Sequence, residues 1–389
     1  MTEQDGKHPA LKILEDLVSI QSVNPHYGNG ACGEGEVADY IERRFQGTNV
    51  RVTRQPVFPG RDNLLIELRT GHPESTLLFE THMDTVSIGS MADAVTPIYR
   101  GDRLYARGAC DAKGSLAGMI WAIEECAKHP ERLMSDIVLC AAVDEEHEYR
   151  GLRVFMDRNM PVAGAVVGEP TELGIVVAHK GCARFAVETL GKAAHSSMPE
   201  EGDSAVYQMV HVLQFIKHVM EPELAKQRHP LCGSPTIVAG TIAGGTQVNI
   251  VPEHCSIELD RRIIPGELPE DAIADFERRL QEYIDSEGLH VNISFRELLL
   301  DWALETPQDS EIVAHAQKVA QALELRTDLL GVTYGSDASK LQRKGIPTIV
   351  YGPGSIAQAH SKEEWVSVHE VERAAQFYYQ LALSFHLPR

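Results

Sequence analysis

The chain has 389 residues, with 36 Lys and Arg against 56 Asp and Glu, so its formal net charge is −20. A hydrophobic content of 43% and a charged content of 24% are ordinary for a folded protein and argue against disorder. The acidic balance repels phosphate backbones, and no apolar run reaches the roughly 18 residues of a membrane helix. The seven cysteines include no CxxC pair, and residues 1–9 lack the apolar core of a signal peptide. We therefore expect a cytoplasmic protein of two or three domains that binds neither nucleic acid nor membrane.

Short apolar runs alternate with amphipathic segments along much of the chain. A helix is predicted from Ala10 to Val18, and it must end before Asn24-Pro25. Continuous apolar runs, typical of strands buried on both faces, occupy 76–79, 137–143, 163–167 and 347–351. Further helices are predicted at 113–128, 313–323 and 370–385. This alternation predicts an α/β fold with a mostly parallel sheet flanked by helices.

From about Ala178 the apolar pattern changes to that of strands with one face in water. Four such strands are predicted at 182–190, 236–242, 255–263 and 290–295, and two helices at 205–219 and 270–285. The sequence therefore predicts a small α+β domain, 178–299, inserted within a larger α/β domain formed by 1–177 and 300–389.

Histidines and carboxylates follow the four predicted buried strands. They are His82 with Asp84, Asp144 with Glu145 and Glu146, Glu169, and His360. Asp111 adds a carboxylate immediately before a predicted helix. In open α/β sheets, ligands bind where the loops at the carboxyl ends of the strands converge. Histidines and carboxylates without a cysteine pair suit zinc or a similar divalent metal, and so large a set favours two ions that share a carboxylate.

Each of these residues alone also has a plain structural explanation. His82 fits a turn or a satisfied core histidine, and Asp144-Glu145-Glu146 fits a solvated loop. Asp111 fits a residue that starts the following helix, where the helix dipole favours an acid, and Glu169 fits a turn. Their joint occurrence at four strand ends and one helix start favours the metal site.

Further motifs make the chain similar to a known family. They are Gly168-Glu169-Pro170-Thr171, Ala178-His179-Lys180-Gly181, His195-Ser196-Ser197, and Gly352-Pro353-Gly354-Ser355-Ile356 followed by Gln358-Ala359-His360. The chain resembles the co-catalytic dinuclear-zinc amidohydrolases, the family of acetylornithine deacetylase, succinyl-diaminopimelate desuccinylase, aminoacylase-1 and glutamate carboxypeptidase. The motifs most resemble those of acetylornithine deacetylase. The segment Tyr334–Ala338, Cys110 and His147 depart from that pattern.

The resemblance implies a zinc-peptidase-like catalytic domain that holds two divalent metal ions per chain. Zinc is the expected metal, with cobalt or manganese as alternatives. Asp111 would bridge the two ions. His82 and Glu169 would complete one site, and Glu146 with His360 the other.

The resemblance also implies roles for residues that do not bind metal. Asp84 would orient a metal-bound imidazole, and Glu145 would be the general base. The inserted domain would be a lid and dimerisation domain, in which His195 reaches into the site of the partner subunit and stabilises the oxyanion. Asn249 and Arg262 would hold the substrate. A turn or interface histidine and a surface ion pair are the plain alternatives for His195 and Arg262.

These implications predict metal-dependent hydrolysis of the amide bond of a small N-acyl amino acid by a cytoplasmic homodimer. The expected reaction resembles the deacylation that acetylornithine deacetylase performs in amino-acid biosynthesis. The alternative is a dipeptidase, a carboxypeptidase or a succinyl-diaminopimelate desuccinylase of the same family. An inactive relative that serves as a binding protein would lack a ligand or Glu145, and the sequence retains them all. A serine or cysteine hydrolase is disfavoured, because no Gly-x-Ser-x-Gly elbow precedes a helix and the sequence identifies no histidine partner for Cys110.

Overall fold

The computed structural model describes residues 7–28 and 32–387, which form two compact units. The core unit comprises the described residues up to Val177, then Thr306–Leu330, and those from Ser336 onward. The inserted unit comprises Ala178–Glu305 and Gly331–Gly335, so it contains the predicted segment 178–299 and extends beyond it. Among the described residues, no helix is both long and apolar enough to cross a bilayer.

The helices follow the amphipathic segments of the sequence. The predicted helices at 10–18, 113–128, 313–323 and 370–385 are all confirmed. The first forms because its apolar residues share one buried face, and it ends well before Asn24-Pro25. The α-helices of the described residues are α1 (Pro9–Val18), α2 (Gly35–Arg44), α3 (Gly114–Lys128), α4 (Arg150–Met156), α5 (Ala205–Phe215), α6 (Glu221–Leu224), α7 (Pro269–Ser286), α8 (Glu311–Ala322), α9 (Ala338–Arg343) and α10 (Val368–Ser384).

The strands form three sheets. Their bounds are β1 (Arg51–Phe58), β2 (Arg61–Leu68), β3 (Leu77–His82), β4 (Ile98–Arg100), β5 (Arg103–Tyr105), β6 (Ile137–Ala142), β7 (Gly164–Val167), β8 (Ile175–His179), β9 (Gly181–Leu190), β10 (Thr236–Gly244), β11 (His254–Ile263), β12 (Ile293–Asp301), β13 (Leu304–Glu305), β14 (Leu329–Val332), β15 (Thr348–Val350) and β16 (Trp365–Ser367). The large sheet has the order β1-β2-β6-β3-β7-β15-β8-β13, with β14 paired to β8.

The centre of the large sheet is parallel, as the continuous apolar runs predict. Neighbours β6, β3, β7 and β15 run in the same direction, and every residue of these four strands is buried. Helix α3 packs against β3 and β6, and it also contacts α1 and α10. The carboxyl ends of these parallel strands therefore meet at one edge of the sheet.

The sheet has antiparallel flanks that the sequence pattern does not predict. Strand β1 pairs antiparallel with β2, and β2 with β6, while β8 lies antiparallel to β15. Strand β1 carries arginines and is only partly buried, as is common for an edge strand, so it lacks a continuous apolar run. The small sheet β16-β5-β4 consists of strands of three residues, too short to show a period.

The inserted unit contains the predicted four-stranded sheet, in the antiparallel order β10-β11-β9-β12. Phe276 of α7 packs edge-on against Phe185 of β9 and Phe215 of α5, at ring-centroid distances of 5.1 and 5.5 Å. These rings belong to the hydrophobic core of the unit, which the apolar residues of the alternating strand pattern also form.

Two predicted elements of the inserted unit have different bounds in the structure. The strand predicted at 290–295 occupies Ile293–Asp301, because a bulge between Glu297 and Leu299 lets its pairing with β9 continue. The helix predicted at 205–219 ends at Phe215 and continues as a π-helical turn, 216–220, before α6. Pro222 lacks the N–H group that a regular helix would need there, which accounts for the irregular turn.

Gly168 follows β7 at a place where the backbone packs closely against α3 and β3. A Cβ atom at this position would lie 2.7 Å from Ser115 Cβ, 2.9 Å from Met119 Cε and 3.1 Å from Thr81 Cβ. Gly168→Ala should therefore push α3 away from the strand ends and lower the free energy of unfolding by about 1–3 kcal/mol. Gly240→Ala is the control, because the nearest atom to its added Cβ is 3.9 Å away. Equal denaturant-unfolding midpoints for the two variants would contradict this packing argument.

Candidate metal centre

One group of ligand atoms gathers around His82 at the carboxyl edge of the parallel strands. His82 is the last residue of β3, while Glu145 and Glu169 lie in the loops that follow β6 and β7. His82 Nε2 lies 3.1 Å from Asp111 Oδ1 and 3.8 Å from Glu169 Oε1. One ligand atom from each of His82, Glu145 and Glu169 lies within 4.8 Å of the others. These residues therefore form a first candidate pocket for a cation.

A second group forms on the other side of Asp111. His360 Nε2 lies 3.3 Å from Asp111 Oδ2 and 3.2 Å from Glu146 Oε2. His82, Asp111 and Glu146 also offer ligand atoms within 4.8 Å of one another. One oxygen of Asp111 thus faces His82 and the other faces His360, so the structure brings together all five residues predicted as ligands. His360 has a left-handed backbone, with φ of 58°, a conformation that non-glycine residues rarely adopt.

Asp84 is fully buried behind the first group. Its backbone carbonyl lies 2.9 Å from His82 Nδ1, and its Oδ1 lies 3.6 Å from the same nitrogen. Its carboxylate also accepts hydrogen bonds from the backbone N–H groups of Glu145 and Glu146, both at 3.2 Å. Asp84 therefore contacts both the imidazole and the loop that carries the two glutamates.

The sequence predicts only that a helix ends before Asn24, and it does not indicate the contacts that Asn24 makes at this site. Its Nδ2 donates to Asp84 Oδ2 at 2.8 Å and to Asp144 Oδ1 at 3.0 Å. Arg61 pairs with the buried Glu34 at 2.6 Å and lies 3.3 Å from Asp144. No sequence motif indicates this network, because Asn24 and its two acceptors are 60 and 120 residues apart.

The electrostatics of the site favour a bound cation. Burial raises the pKa of Glu145 well above its usual value, and it does the same for Glu169, where the nearby Asp111 adds to the effect. Burial also opposes ionisation of Asp111, yet hydrogen bonds from His360 and His82 lower the pKa of this carboxyl. Hydrogen bonds to Asp111 and Glu146 raise the pKa of His360 to about 10. Burial thus opposes ionisation of the glutamates, and a nearby cation would favour their charged form.

The residues present fit a pair of divalent metal ions. Glu146 Oε1 is buried and has no hydrogen-bond partner within residues 7–28 and 32–387, so this oxygen is available as a ligand. Histidine nitrogens and carboxylate oxygens are the donor types that zinc takes in catalytic sites. A carboxylate with each oxygen facing a different histidine has the arrangement that a bridging ligand needs.

The predicted substrate residues lie in the inserted unit. His195 is exposed, its Nδ1 lies 2.7 Å from Ser197 Oγ, and it forms a β-bridge with Ile250, next to the exposed Asn249. Arg262 Nε is 2.7 Å from Asp260 Oδ1, which is the surface ion pair that the sequence left as the alternative. The predicted roles of His195, Asn249 and Arg262 stay predictions.

The departures from the family pattern have distinct environments. Cys110 is buried, burial raises the pKa of its thiol well above the usual value, and its Sγ contacts the carbonyl of Ser355 at 3.4 Å. A thiol of this kind is a poor nucleophile, which agrees with the expectation against a cysteine hydrolase. His147 stacks on His26 with ring centroids 3.7 Å apart. Asp337 is buried and raises the pKa of Glu145 further.

The chain is similar to known proteins over most of its length. Residues 78–384 match the model of peptidase family M20/M25/M40. The chain is 30% identical over 378 residues to an acetylornithine deacetylase of Myxococcus xanthus, with 94% of each chain covered. It is 27% identical over 389 residues to a probable succinyl-diaminopimelate desuccinylase of Staphylococcus aureus (strain MRSA252), with 92% of each covered.

The fold is also similar to that of a solved structure, a tripeptidase from Staphylococcus aureus. The TM-score is 0.79 at 19% sequence identity, over 96% of this chain and 97% of that chain. The family match includes the whole segment from His82 to His360, which holds all the residues of the candidate metal centre. The chain belongs to peptidase family M20/M25/M40.

Proposed function

We propose that the protein hydrolyses the amide bond of a small N-acyl amino acid with the help of two divalent metal ions. The observation that carries this proposal is the position of Asp111, whose two oxygens face His82 and His360 respectively. Glu169 would complete the site of His82, and Glu146 that of His360. Zinc is the proposed metal, with cobalt or manganese as alternatives.

The proposed chemistry divides between the metal centre and one glutamate. Divalent ions at this centre would lower the pKa of water toward ~7 and polarise the carbonyl of the amide. Glu145 takes a proton from the attacking water and later delivers it to the leaving amine. Its position supports this role, because one of its oxygens lies within 4.8 Å of ligand atoms of His82 and Glu169.

Relatives support the substrate class but leave its members open. The acetylornithine deacetylase and the probable desuccinylase both act, by name, on amides of small amino acids. Both products carry a free α-carboxylate, and the guanidinium of Arg262 is suited to bind such a group bidentately. Asn249 is the proposed second contact. A dipeptidase, a carboxypeptidase or a desuccinylase stays the alternative.

We also propose a homodimer formed through the inserted unit. Strand β10 lies at the edge of its sheet, and its Val238 and Ile242 are 58% and 61% exposed. Tyr207 and Val210 of α5 are exposed as well. Apolar side chains beside a free strand edge favour association with a second copy of the chain. No disulfide joins two cysteines of the described residues, in keeping with the cytoplasm as the proposed location.

A panel of hydrolysis assays on metal-reconstituted protein tests the proposed substrate class. It should contain N-acetylornithine, N-acetylcitrulline, N-acetylmethionine, N-succinyl-diaminopimelate and simple dipeptides. We expect the fastest turnover, measured as kcat/KM, for an N-acyl amino acid, and its loss after exhaustive chelation. Turnover of dipeptides alone would favour the peptidase alternative, and no turnover of any amide would refute the proposal.

The adjacent glutamates should separate into a chemical and a ligand role. Glu145→Gln should keep both metal ions and lose roughly 10²–10⁴-fold in kcat, the usual range for removal of an acid–base group. Glu146→Gln should also lose metal, as measured by elemental analysis. Glu148→Gln is the control from the same loop, because Glu148 lies at the surface beside Arg150. Equal metal loss in the Glu145 and Glu146 variants would show that these roles are wrongly assigned.

His195 should act on the site of the partner subunit. A Glu145→Gln chain and a His195→Ala chain should each be weakly active. For His195→Ala we expect kcat to fall by about 10²–10³-fold, as for loss of an oxyanion donor. After subunit exchange, a hybrid dimer has one site with both wild-type residues, so activity should reappear. Exchange proven by mass spectrometry without recovery of activity would place His195 within its own chain's site, or outside catalysis.

A further inference from the structure

Glu364 is a buried carboxylate outside the proposed ligand set. It is 1% exposed, and donors occupy both of its oxygens. Oε2 accepts from Arg107 Nη1 at 2.7 Å and from the backbone N–H of Gly108 at 3.0 Å. Oε1 accepts from the backbone N–H groups of Cys110 and Asp111, at 3.0 and 3.1 Å. Glu364 thus binds the loop that ends in the central carboxylate of the metal centre.

The irregular backbone of this loop explains why it needs an acceptor. Gly108 has a left-handed conformation with φ of 79°. Asp111 and Ala112 have non-helical dihedral angles within the turn that leads into α3. N–H groups in such a loop lack the regular acceptors of a helix, and buried N–H groups without partners are costly. One carboxylate that accepts three of them, as in an anion-binding concavity, fixes the path of the loop.

The same contacts tie this loop to the chain segment that carries His360. Glu364 lies four residues after His360, and Arg107 Nη2 donates to the carbonyl of Ser361 at 3.1 Å. Arg107 is itself 6% exposed, so its ion pair with Glu364 is buried. The pair therefore joins two segments whose side chains meet 3.3 Å apart, at Asp111 Oδ2 and His360 Nε2.

We propose that Glu364 is a positioning residue for the metal centre, which holds Asp111 at the place where its two oxygens serve two ions. The inference rests on the proposed function, because it assumes that the Asp111 cluster binds metal. Its physical basis is that metal–ligand distances tolerate errors of only about 0.2 Å. Groups that orient ligands in this way commonly change metal affinity by 10–100-fold when they are removed.

The test measures metal binding by the full-length chain directly. Metal-free protein is titrated with Co²⁺, and binding is followed by calorimetry and by the visible absorption of the ion. Glu364→Gln keeps the size of the side chain, but its amide places an N–H group against backbone N–H groups. We expect it to weaken the binding of at least one Co²⁺ ion by 10–100-fold and to alter the absorption spectrum. Glu363→Gln, at the exposed neighbouring position, should bind Co²⁺ like the wild type.

A second variant keeps the test informative if Glu364→Gln does not fold. Arg107→Lys retains the positive charge but cannot reach both Glu364 and the Ser361 carbonyl with one planar fork. It should weaken Co²⁺ binding in the same direction, while the far-UV circular dichroism of the metal-free protein stays unchanged. Wild-type Co²⁺ affinity and spectrum in the folded variants would overturn the positioning role.

The outcome separates this inference from the proposed function. A wild-type chain that binds two Co²⁺ ions but hydrolyses no amide refutes the proposed function, and weakened binding in Glu364→Gln would still support the inference. An active wild type with unaltered Co²⁺ binding in Glu364→Gln refutes the inference alone. A wild-type chain that binds no Co²⁺ refutes the metal centre and both proposals with it.

Discussion

The burial of several carboxylates at one place is the constraint on which the structure of the site depends. Asp111, Glu145, Glu146 and Glu169 converge at the carboxyl edge of the parallel strands, where burial raises the pKa values of the three glutamates. Asp111 differs because histidine nitrogens lie beside both of its oxygens. Positive charge on either side of Asp111 would offset the burial of these carboxylates, and under the proposed function two divalent ions would supply it where the ligand atoms meet.

The same edge of the sheet also contains irregular, buried loops, and hydrogen bonds to buried carboxylates hold these loops in place. Asp84 accepts the N–H groups of Glu145 and Glu146, and Glu364 accepts those of Cys110 and Asp111. In both cases a buried carboxylate accepts hydrogen bonds from the backbone of a loop, and side chains of that loop face the cluster. Backbone amides therefore stabilise two further negative charges, and the ligand side chains are left free to face a cation.

The sequence predicts the parts of this arrangement that depend on local pattern. Continuous apolar runs identify the parallel strands, and the histidine and carboxylates that follow those strands can be placed at one sheet edge. The supporting residues cannot be found in this way. Glu364 and Asp111 are 253 residues apart, and Asn24 is 60 residues from Asp84, so only the tertiary fold brings them together. Strand β1 is not predicted for a different reason, because its partly exposed polar residues interrupt the apolar pattern of a strand.

The inserted unit places its proposed substrate contacts under different physical conditions from those of the metal centre. Asp260 accepts from Arg262 at 2.7 Å and from Arg184 at 2.9 Å, so one negative charge is shared by two guanidinium groups. All three side chains are partly exposed, and ion pairs of that kind contribute little to stability. If Arg262 binds the substrate as proposed, a substrate carboxylate would replace Asp260 there with little loss of stability. The same exchange in the buried pair of Arg107 and Glu364 would leave a charge unpaired.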